Sequence, residues 1–590
     1  MAEAPGWPGI PARWTSSAKG GVGSALSDAS RVWFTLSHGI VNEVYYPRVD
    51  QACVRDLGLI VTDGDSFFAE EKRDCASVVD RLEAGIPAFL LTSTHSGGRF
   101  RIIKRVIADP RSDSVLMQIR LENLSKTRLR LFALLAPHLV NAGAHNNGWR
   151  GDYKGHQMLF AMGCGTHLAM AANLPFLATS VGFVGVSDGW QELFRQRRLT
   201  NQYDTATDGN VALAAELATG PDGDAVLALG FALTSSGAAL HALSSLQTPF
   251  ETILNDYAAG WRAWQAGLRS MERRARGHNM YRVSTAILHC HEARAYPGGV
   301  IASLSIPWGF SKGDDDLGGY HLVWPRDLCE TAGAFLACGE FAAVRRILRY
   351  LRATQESDGS WPQNCWLDGS AYWRGVQLDE CAFPTLLLDI AWREGAIRRP
   401  DLQAFWPMVK KAAGFVLRTG PRTKQDRWEE NAGYTPFTLA VAIAALLAAA
   451  EIAEACEIEE LPALFRDTAD AWNDQIEDWI YVRDTALARA AGVAGHYIRV
   501  APESPETEGP DVHGLVQVRN HEAGSGAIPA DQLVSTDALA LVRFGLRAPD
   551  DPRVLNTIAD IDRVLKAELP QGPGWRRYNL DGYGEKADGR

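Results

Sequence analysis

The hydrophobic pattern of the chain changes near residue 250. Before this point, short runs rich in β-branched and aromatic residues, such as RVWFTLS (31–37), alternate with polar turn sequences. Turn-forming residues follow such runs in TDGD (62–65) and DPRSD (109–113). Because many short strands separated by turns build antiparallel sheets, the pattern predicts a β-sandwich over residues 1–248.

Beyond that point the apolar residues recur at helical spacing. Residues 249–275 predict a helix with one polar face, which is interpreted as a linker, and residues 276–590 predict about nine helices with few strands. The helix that begins at Thr435 and Pro436, an N-cap and N1 pair, is apolar nearly all round and is therefore expected to be buried. Repeated helices without a fixed sequence repeat favour a closed double ring of helices over a superhelix. The predicted helix centres lie near residues 285, 332, 348, 387, 410, 446, 469, 540 and 560.

The composition of the chain excludes several classes of function and partner. A net charge of −11 in 590 residues argues against a nucleic-acid partner, which would need a basic surface. The nine cysteines form no CxxC pair and are interpreted as free thiols, and the N-terminus lacks the basic and apolar segments of a secretory signal. The longest apolar run, residues 439–450, is shorter than the roughly 20 residues that span a membrane. We therefore expect a cytoplasmic monomer with no nucleic-acid or membrane partner.

Motifs for metal, nucleotide and serine-nucleophile chemistry are missing from the sequence. It contains no HExxH, GxxxxGK[ST], GxSxG or strand-linked GxGxxG motif. Residues 314–316 are three aspartates, but without EF-hand spacing they are interpreted as a solvated loop. His289 and His291 lie two residues apart on a predicted helix and so share no face on which to bind a metal. No metal and no cofactor are predicted.

Four loops of the helical region combine aromatic, carboxylate and arginine side chains. Loops at one end of a helical ring converge on its centre, where a rigid scaffold can assemble a site. Tryptophan faces stack on sugar rings, and Arg and Asp bind hydroxyl pairs. The four loops are HLVWPRD (321–327), WPQNCWLDGSAYWRGVQLDE (361–380), DRWEENAGYTPFT (426–438) and GWRRYNLDGYGE (574–585).

The WEE triplet of the third loop is the candidate for acid catalysis. Cleavage of a glycosidic bond needs a protonated carboxyl at the leaving oxygen and a second carboxyl on the opposite face of the sugar. Trp428 offers an apolar wall, and Glu429 and Glu430 are neighbouring like charges, which are the surroundings that a proton-donating carboxyl needs. The sequence therefore predicts a sugar-cleaving site in which a glutamate of this triplet is the acid.

These loops resemble the motifs of glycoside hydrolase family 15, the glucoamylases and glucodextranases. The likeness is most specific in VWPRD, WRGVQLDE, DRWEE and RRYNLDGYGE, and PGGVIASLSIPWG (297–309) is similar to the barrel-entry segment of bacterial members. The resemblance implies an N-terminal antiparallel β-sandwich followed by an (α/α)6 barrel. It also implies an inverting hydrolase of polysaccharide degradation that releases glucose from the non-reducing ends of α-1,4 or α-1,6 glucans or gluco-oligosaccharides.

Carried over position by position, the resemblance implies roles for individual residues. Glu429 matches the family's general acid, Trp373 a tryptophan that packs against that acid, and Glu430 the residue that lines the adjoining sugar subsite. The implied substrate-binding residues are Trp324, Arg326 and Asp327, which hold the terminal glucose, and Trp373, Gln377, Asp379, Trp428, Glu430 and Arg577.

The sequence departs from the family at its C-terminal end. The family's general base lies well after the RRYNLDGYGE loop, whereas this chain stops at Arg590, and about nine helices are predicted where the ring has twelve. Glu522 and Glu585 lie outside the base motif, so neither is given that role. We therefore expect a barrel that is incomplete at its C-terminal end, a fragment of a longer enzyme, and hydrolysis impaired by the roughly 10²–10⁴-fold that a general base contributes.

The same residues are also compatible with other functions. A trehalase or a transglucosylating enzyme could use this architecture. A non-catalytic α-glucan-binding fragment would keep the aromatic clusters but turn nothing over. A phosphorolytic enzyme would replace water and its base by phosphate and would need a phosphate-binding cluster, and the sequence shows none.

Overall fold

The chain folds into two compact units, Met1–Leu322 and Val323–Arg590. The computed structural model describes residues 2–272, 280–305, 313–314, 319–507, 509–519, 526–570 and 572–583. Glu522, Glu585, two of the three aspartates at 314–316 and the end of the 297–309 segment lie outside the described residues.

Unit Met1–Leu322 is built on two antiparallel sheets. Its strands are β1 (Gly21–Ser24), β2 (Trp33–Ser37), β3 (Ile40–Tyr45), β4 (Ala52–Thr62), β5 (Phe68–Glu70), β6 (Cys75–Glu83), β7 (Ile86–His95), β8 (Phe100–Ala108), β9 (Ser114–Asn123), β10 (Arg130–Pro137), β11 (Asn146–Tyr153), β12 (His156–Gly163), β13 (Thr166–Ala172), β14 (Ala178–Phe183), β15 (Thr205–Gly209), β16 (Val211–Leu217) and β17 (Asp224–Ala232). One sheet is 8-stranded, in the order β1-β2-β3-β4-β10-β16-β14 with β5 paired to β4. The other is 9-stranded, in the order β15-β11-β12-β13-β17-β9-β8-β7-β6.

The two sheets bury their facing sides against each other as a sandwich. Strand β8 alternates buried and partly exposed residues along most of its length, as a strand with one face in a core does. Strand β11 comes so close to the other sheet that a Cβ on Gly148 would lie 2.9 Å from Val181 Cγ1 and 3.1 Å from Leu213 Cδ2. The turns predicted at 62–65 and 109–113 join β4 to β5 and β8 to β9, so the predicted strand–turn pattern is confirmed.

Five helices accompany the described part of the sandwich unit: α1 (Glu71–Asp74), α2 (Gly189–Gln196), α3 (Ser235–Leu246), α4 (Phe250–Ala266) and α5 (Tyr281–Cys290). Helix α4 is the helix expected at 249–275. Its buried Tyr257 and Trp261 donate hydrogen bonds to the Ser24 carbonyl oxygen at 3.0 Å, so this helix packs on the sandwich rather than standing apart as a spacer. The domain limits 1–248, 249–275 and 276–590 stay a prediction.

Unit Val323–Arg590 is mainly helical. Its helices are α6 (Pro325–Cys338), α7 (Phe341–Thr354), α8 (Leu378–Arg393), α9 (Arg399–Thr419), α10 (Pro436–Ala455), α11 (Pro462–Ile480), α12 (Ala486–Ala491), α13 (Ala540–Arg543) and α14 (Pro552–Val564). Helices α6, α8 and α10 pack side by side as an inner layer, and α7, α9 and α11 cover them from outside. Short antiparallel pairs lie between them: β18 (Asn364–Cys365) with β19 (Ala371–Trp373), β20 (Tyr481–Arg483) with β21 (Gly495–Tyr497), β22 (Leu515–Gln517) with β23 (Ala527–Pro529), and β24 (Lys566–Leu569) with β25 (Gly572–Trp575).

Helix α10 is the central helix of this unit. Its N-cap Thr435 accepts a hydrogen bond from the Thr438 N–H at 3.2 Å, and Pro436 occupies the first position. In length and composition it is the one helix of the described residues that could cross a membrane, but 83% of its apolar window is buried inside the protein. The burial expected from its all-round apolar sequence is confirmed.

The helix centres predicted from sequence all fall within observed helices, from α5 near 285 to α14 near 560. The prediction missed α1, α2 and α3, which lie among the strands, and the short α12. Helix α3 packs on β13 and β17 of the 9-stranded sheet, and its run of Ala and Ser gives it only a weak helical pattern.

Candidate active site

The predicted site residues gather where the inner helices begin. Helix α6 starts directly after Trp324 and α8 directly after Gln377, while the 426–431 loop precedes α10. Because α8 packs between α6 and α10, these starts lie close together. Short-range sequence signals, above all the Pro residues at the first position of α6 and α10, fix where each helix begins. Residues 577–581 are a fourth segment of this cluster of site residues, because Arg577 and Tyr578 contact Glu430.

The carboxyl group of Glu429 is held by a tryptophan from α6. The Trp324 indole Nε1 donates to Glu429 Oε1 at 2.7 Å. Glu429 has φ 66°, in the left-handed region, which costs a non-glycine residue of the order of 1–3 kcal/mol. The 426–431 loop maintains this conformation through Asp426, whose carbonyl oxygen accepts from the Glu429 N–H at 2.8 Å and whose Oδ1 accepts from the Glu430 N–H at 2.9 Å.

Glu430 is the centre of a buried ion-pair network. Its Oε2 accepts from Arg499 Nη2 at 3.0 Å and from the Tyr578 hydroxyl at 2.6 Å, and its Oε1 accepts from Arg577 Nη2 at 3.0 Å. Arg499 also binds Asp426 Oδ2 at 2.7 Å, and its side chain is fully buried. Two guanidinium groups thus compensate Glu430, and the repulsion of Glu429 by Glu430 that the sequence suggested is offset in the fold.

The contacts that the structure describes for Trp428 are with the ion-pair network around Glu430 and not with the carboxyl group of Glu429. Its indole Nε1 donates to Asp537 Oδ2 at 3.0 Å, and the guanidinium of Arg577 lies 5.0 Å from its ring centre. Burial raises the pKa of Asp537 above its usual value, although Arg427 lowers it. The indole that reaches Glu429 is therefore Trp324, and Trp428 fixes Arg577 beside Glu430.

A second cluster joins the first turns of α6 and α8. Arg326 Nη1 donates to Gln377 Oε1 at 2.5 Å and to Asp379 Oδ2 at 3.0 Å, and it lies 3.5 Å from Glu380 Oε1. Gln377, Asp379 and Glu380 are all fully buried. Burial lowers the pKa of the Arg326 guanidinium, but the carboxyl groups of Glu380, Asp379 and Asp327 outweigh burial and hold that pKa above its usual value.

Asp327 and Trp373 border these clusters on their open side. The Asp327 side chain is 46% exposed and lies 3.9 Å from Arg326 Nη2, so its carboxylate is accessible to a ligand. Trp373 is 39% exposed and meets the Trp324 ring edge to face, with ring centres 6.4 Å apart. An exposed aromatic beside an exposed carboxylate is suited to the apolar face and the hydroxyl groups of a sugar.

The fold thus connects the residues predicted for the site into contact groups. Trp324, Trp373 and Glu429 form one group, Arg326, Asp327, Gln377 and Asp379 a second, and Trp428, Glu430 and Arg577 a third. Their individual roles stay predictions.

Sequence reasoning missed several residues that hold these groups in place. They are Asp426, Arg499, Asp537 and Tyr578 around Glu430, whereas Glu380 beside Arg326 belongs to the predicted 361–380 loop but was given no role. Tyr578 lies within the RRYNLD motif itself. The sequence does contain a signal for Arg499, which lies alone between the apolar residues Ile498 and Val500. An arginine that is buried with such neighbours needs a buried carboxylate as its ion-pair partner.

Comparisons with known proteins agree with this architecture. Residues 4–266 match the family model "Glucodextranase, domain N", and residues 275–590 match "Glycosyl hydrolases family 15". A glucoamylase from Clostridium sp. (strain G0005) is 35% identical over 580 residues, which are 98% of this chain and 80% of that relative. An uncharacterized glycosyl hydrolase from Methanocaldococcus jannaschii is 25% identical over 268 residues, or 45% of this chain and 37% of its own length.

A solved structure gives the same result for the fold. The crystal structure of a bacterial glucoamylase complexed with acarbose is 35% identical, covers 99% of this chain and 84% of its own, and superposes with a TM-score of 0.93. The predicted fold class, an antiparallel β-sandwich followed by an α/α barrel, is confirmed.

Proposed function

Since the chain belongs to glycoside hydrolase family 15, we propose that it is an inverting, exo-acting hydrolase that removes glucose from the non-reducing ends of α-1,4- or α-1,6-linked glucans. The observation that carries the proposal is the Glu429 carboxyl, held at 2.7 Å by the Trp324 indole beside a partly exposed tryptophan and aspartate. The similarity to a glucoamylase that was crystallised with acarbose supports a gluco-oligosaccharide as the ligand.

The proposed reaction assigns the proton transfer to Glu429. Its carboxyl gives a proton to the glycosidic oxygen as the bond to the anomeric carbon breaks, and a water molecule attacks that carbon from the opposite face. Arg326 and Asp327 bind hydroxyl groups of the terminal glucose, and the rings of Trp324 and Trp373 pack against it.

The second sugar lies against the Glu430 network in this proposal. Arg577 joins Glu430 to Asp581, whose carboxylate accepts from Arg577 Nε at 2.6 Å and from Nη2 at 2.7 Å. Such a bidentate pair holds Arg577 in one orientation, so a sugar hydroxyl meets a donor that is already in place. The carboxyl that activates the water is left unassigned, and the impaired hydrolysis expected from sequence stays a prediction.

One assay tests the proposed function and separates the alternatives. The chain is incubated with maltooligosaccharides and isomaltooligosaccharides, with and without phosphate, while glucose, its anomeric form and glucose-1-phosphate are followed. We expect β-glucose from the chain ends without any need for phosphate. Acarbose binding without any product would favour the glucan-binding reading, and phosphate-dependent glucose-1-phosphate the phosphorolytic one. α-Glucose as the first product would contradict inversion.

The hydrogen bond from Trp324 predicts a further effect on rate. Trp324→Phe keeps an aromatic ring but removes the donor to Glu429, and we expect kcat to fall by about 10- to 100-fold, since a hydrogen bond to a charged group contributes about 1.5–3 kcal/mol. Trp190→Phe is the matched control, because it removes an indole bond to Glu70 at 2.9 Å in the sandwich unit. Equal kcat values for the parent and Trp324→Phe would show that this bond does not support the acid.

A further inference from the structure

Glu380 is a buried carboxyl group at the edge of the proposed glucose site, and none of the described residues forms a hydrogen bond with it. It lies in the first turn of α8 and is fully buried. Neither of its carboxyl oxygens has a hydrogen-bond partner among the described residues. The nearest cation is Arg326 Nη1, which is 3.5 Å from Oε1, beyond the usual range for this kind of hydrogen bond. Such a group is rare in a folded protein and calls for a physical explanation.

Nη1 of Arg326, the nitrogen that approaches Glu380, cannot satisfy both buried carboxyl groups of α8. The two hydrogens on Nη1 go to Gln377 Oε1 and Asp379 Oδ2, so none is left for Glu380. An ionised carboxylate that is buried without a hydrogen bond costs several kcal/mol, and a proton on one of the two carboxyl groups removes that cost. Asp379 accepts the bond from Arg326, so the proton belongs on Glu380.

The charged groups around Glu380 also favour its protonated form. Burial raises the pKa of Glu380 well above its usual range. Arg326 lowers it, while Asp379, Asp327 and Glu429 raise it further. The other titratable groups that interact with Glu380 are the thiols of Cys329, Cys365 and Cys381, on α6, β18 and α8. Arg326 is the one cation among the groups that act on Glu380 in the described residues.

We propose that Glu380 is a positioning residue that works as a neutral carboxylic acid and holds Arg326 in place for the terminal glucose. A neutral carboxyl occupies the space beside Nη1 without pulling the guanidinium away from Gln377 and Asp379. The second terminal nitrogen, Nη2, lies 3.9 Å from the Asp327 carboxylate and remains available for a sugar hydroxyl. This inference rests on the proposed function for the identity of the ligand, but not for the protonation of Glu380.

The first test compares two substitutions at the same position. Glu380→Ala opens a cavity beside Arg326, and we expect the Kd for acarbose and the KM for maltooligosaccharides to rise by about tenfold, with a smaller change in kcat. Glu380→Gln is neutral and of the same shape, and should restore most of the lost affinity. If Gln is as damaging as Ala, the site needs a negative charge and the proposal is wrong.

The pH dependence of binding provides a second readout. As pH rises and Glu380 ionises, the new charge competes with Gln377 and Asp379 for Arg326, so acarbose binding to the parent should weaken. Glu380→Gln cannot ionise and should keep its Kd where the parent loses affinity. If acarbose binding strengthens with rising pH in the parent but not in Glu380→Gln, the ionised carboxylate is the working form and the proposal is wrong.

Infrared spectroscopy tests the proton directly, without turnover or ligand. At neutral pH the difference spectrum of the parent minus Glu380→Gln should contain the carbonyl stretch of a protonated carboxyl group. The matched control is Glu216→Gln, since Glu216 is also buried but, unlike Glu380, accepts two hydrogen bonds from Arg130, at 2.7 and 2.6 Å. If that difference spectrum shows the stretches of an ionised carboxylate instead, Glu380 carries no proton and the proposal fails, whether or not the parent releases glucose.

Discussion

Replacement of Glu429 by Gln lowers glucose release by about 10²–10⁴-fold, the usual contribution of a general acid. Glutamine keeps the shape of the side chain and an oxygen that can accept the Trp324 indole bond, but it has no proton to give to the leaving oxygen. The loss should therefore appear in kcat, and acarbose should bind with a Kd close to that of the parent. The measurement is the initial rate of glucose release from maltooligosaccharides, together with calorimetric titration of acarbose.

The comparison needs a variant with the same change of charge outside the site. Glu459→Gln is suitable, because Glu459 is an exposed glutamate of the same unit and lies in the turn before α11. It should retain the parental rate. Equal rates for Glu429→Gln and Glu459→Gln would remove Glu429 from the mechanism. Unaltered kcat with a large rise in KM would make it a binding residue instead of the acid.

The periodicity of the sequence predicted the fold well because each unit has a simple pattern. Strand segments such as β8 alternate between buried and exposed residues, and α10 is apolar on all sides. Helix α3 was not predicted because its alanines and serines give it little amphipathic character. Its position on the 9-stranded sheet depends on strands that are distant in the sequence. The local sequence pattern thus predicts an element whose buried residues recur at a regular spacing. It does not predict an element that depends only on tertiary contacts.

The site was predictable where its residues belong to short motifs and not where distant partners complete them. Trp324 and Glu429 were each singled out, but their hydrogen bond spans 105 positions and has no local signal. The surroundings of Glu430 also differ from those that the sequence suggested. From the sequence, Glu430 was a repelling neighbour; in the fold, Arg499 and Arg577 neutralise it. Adjacent residues in a loop need not share an environment, and here the two glutamates belong to different networks.

Arg499 holds the 426–431 loop in place, and its removal should cost more stability than any other single change considered. Its buried guanidinium binds Asp426 Oδ2 at 2.7 Å, Glu430 Oε2 at 3.0 Å and Asn431 Oδ1 at 2.7 Å. Arg499→Met fills a similar volume but leaves Asp426 buried with a negative charge that no arginine balances. Removal of one partner of a buried ion pair typically costs about 3–5 kcal/mol. We expect a lower urea midpoint for residues 323–590, measured by pulse proteolysis with identification of the fragments.

The same network predicts which second change restores stability. Asp426→Asn in the Arg499→Met background removes the unbalanced charge, and its amide oxygen can still accept the Glu430 N–H, so the double variant should be more stable than Arg499→Met alone. Arg466→Met is the control for loss of an arginine, because Arg466 makes its ion pairs with Glu451 and Glu454 at the surface and should change the midpoint far less. If Arg499→Met unfolds at the parental urea concentration, the network does not stabilise the unit. If the double variant is less stable than either single variant, Arg499 and Asp426 contribute separately, and the loop that presents Glu429 depends on something other than their pairing.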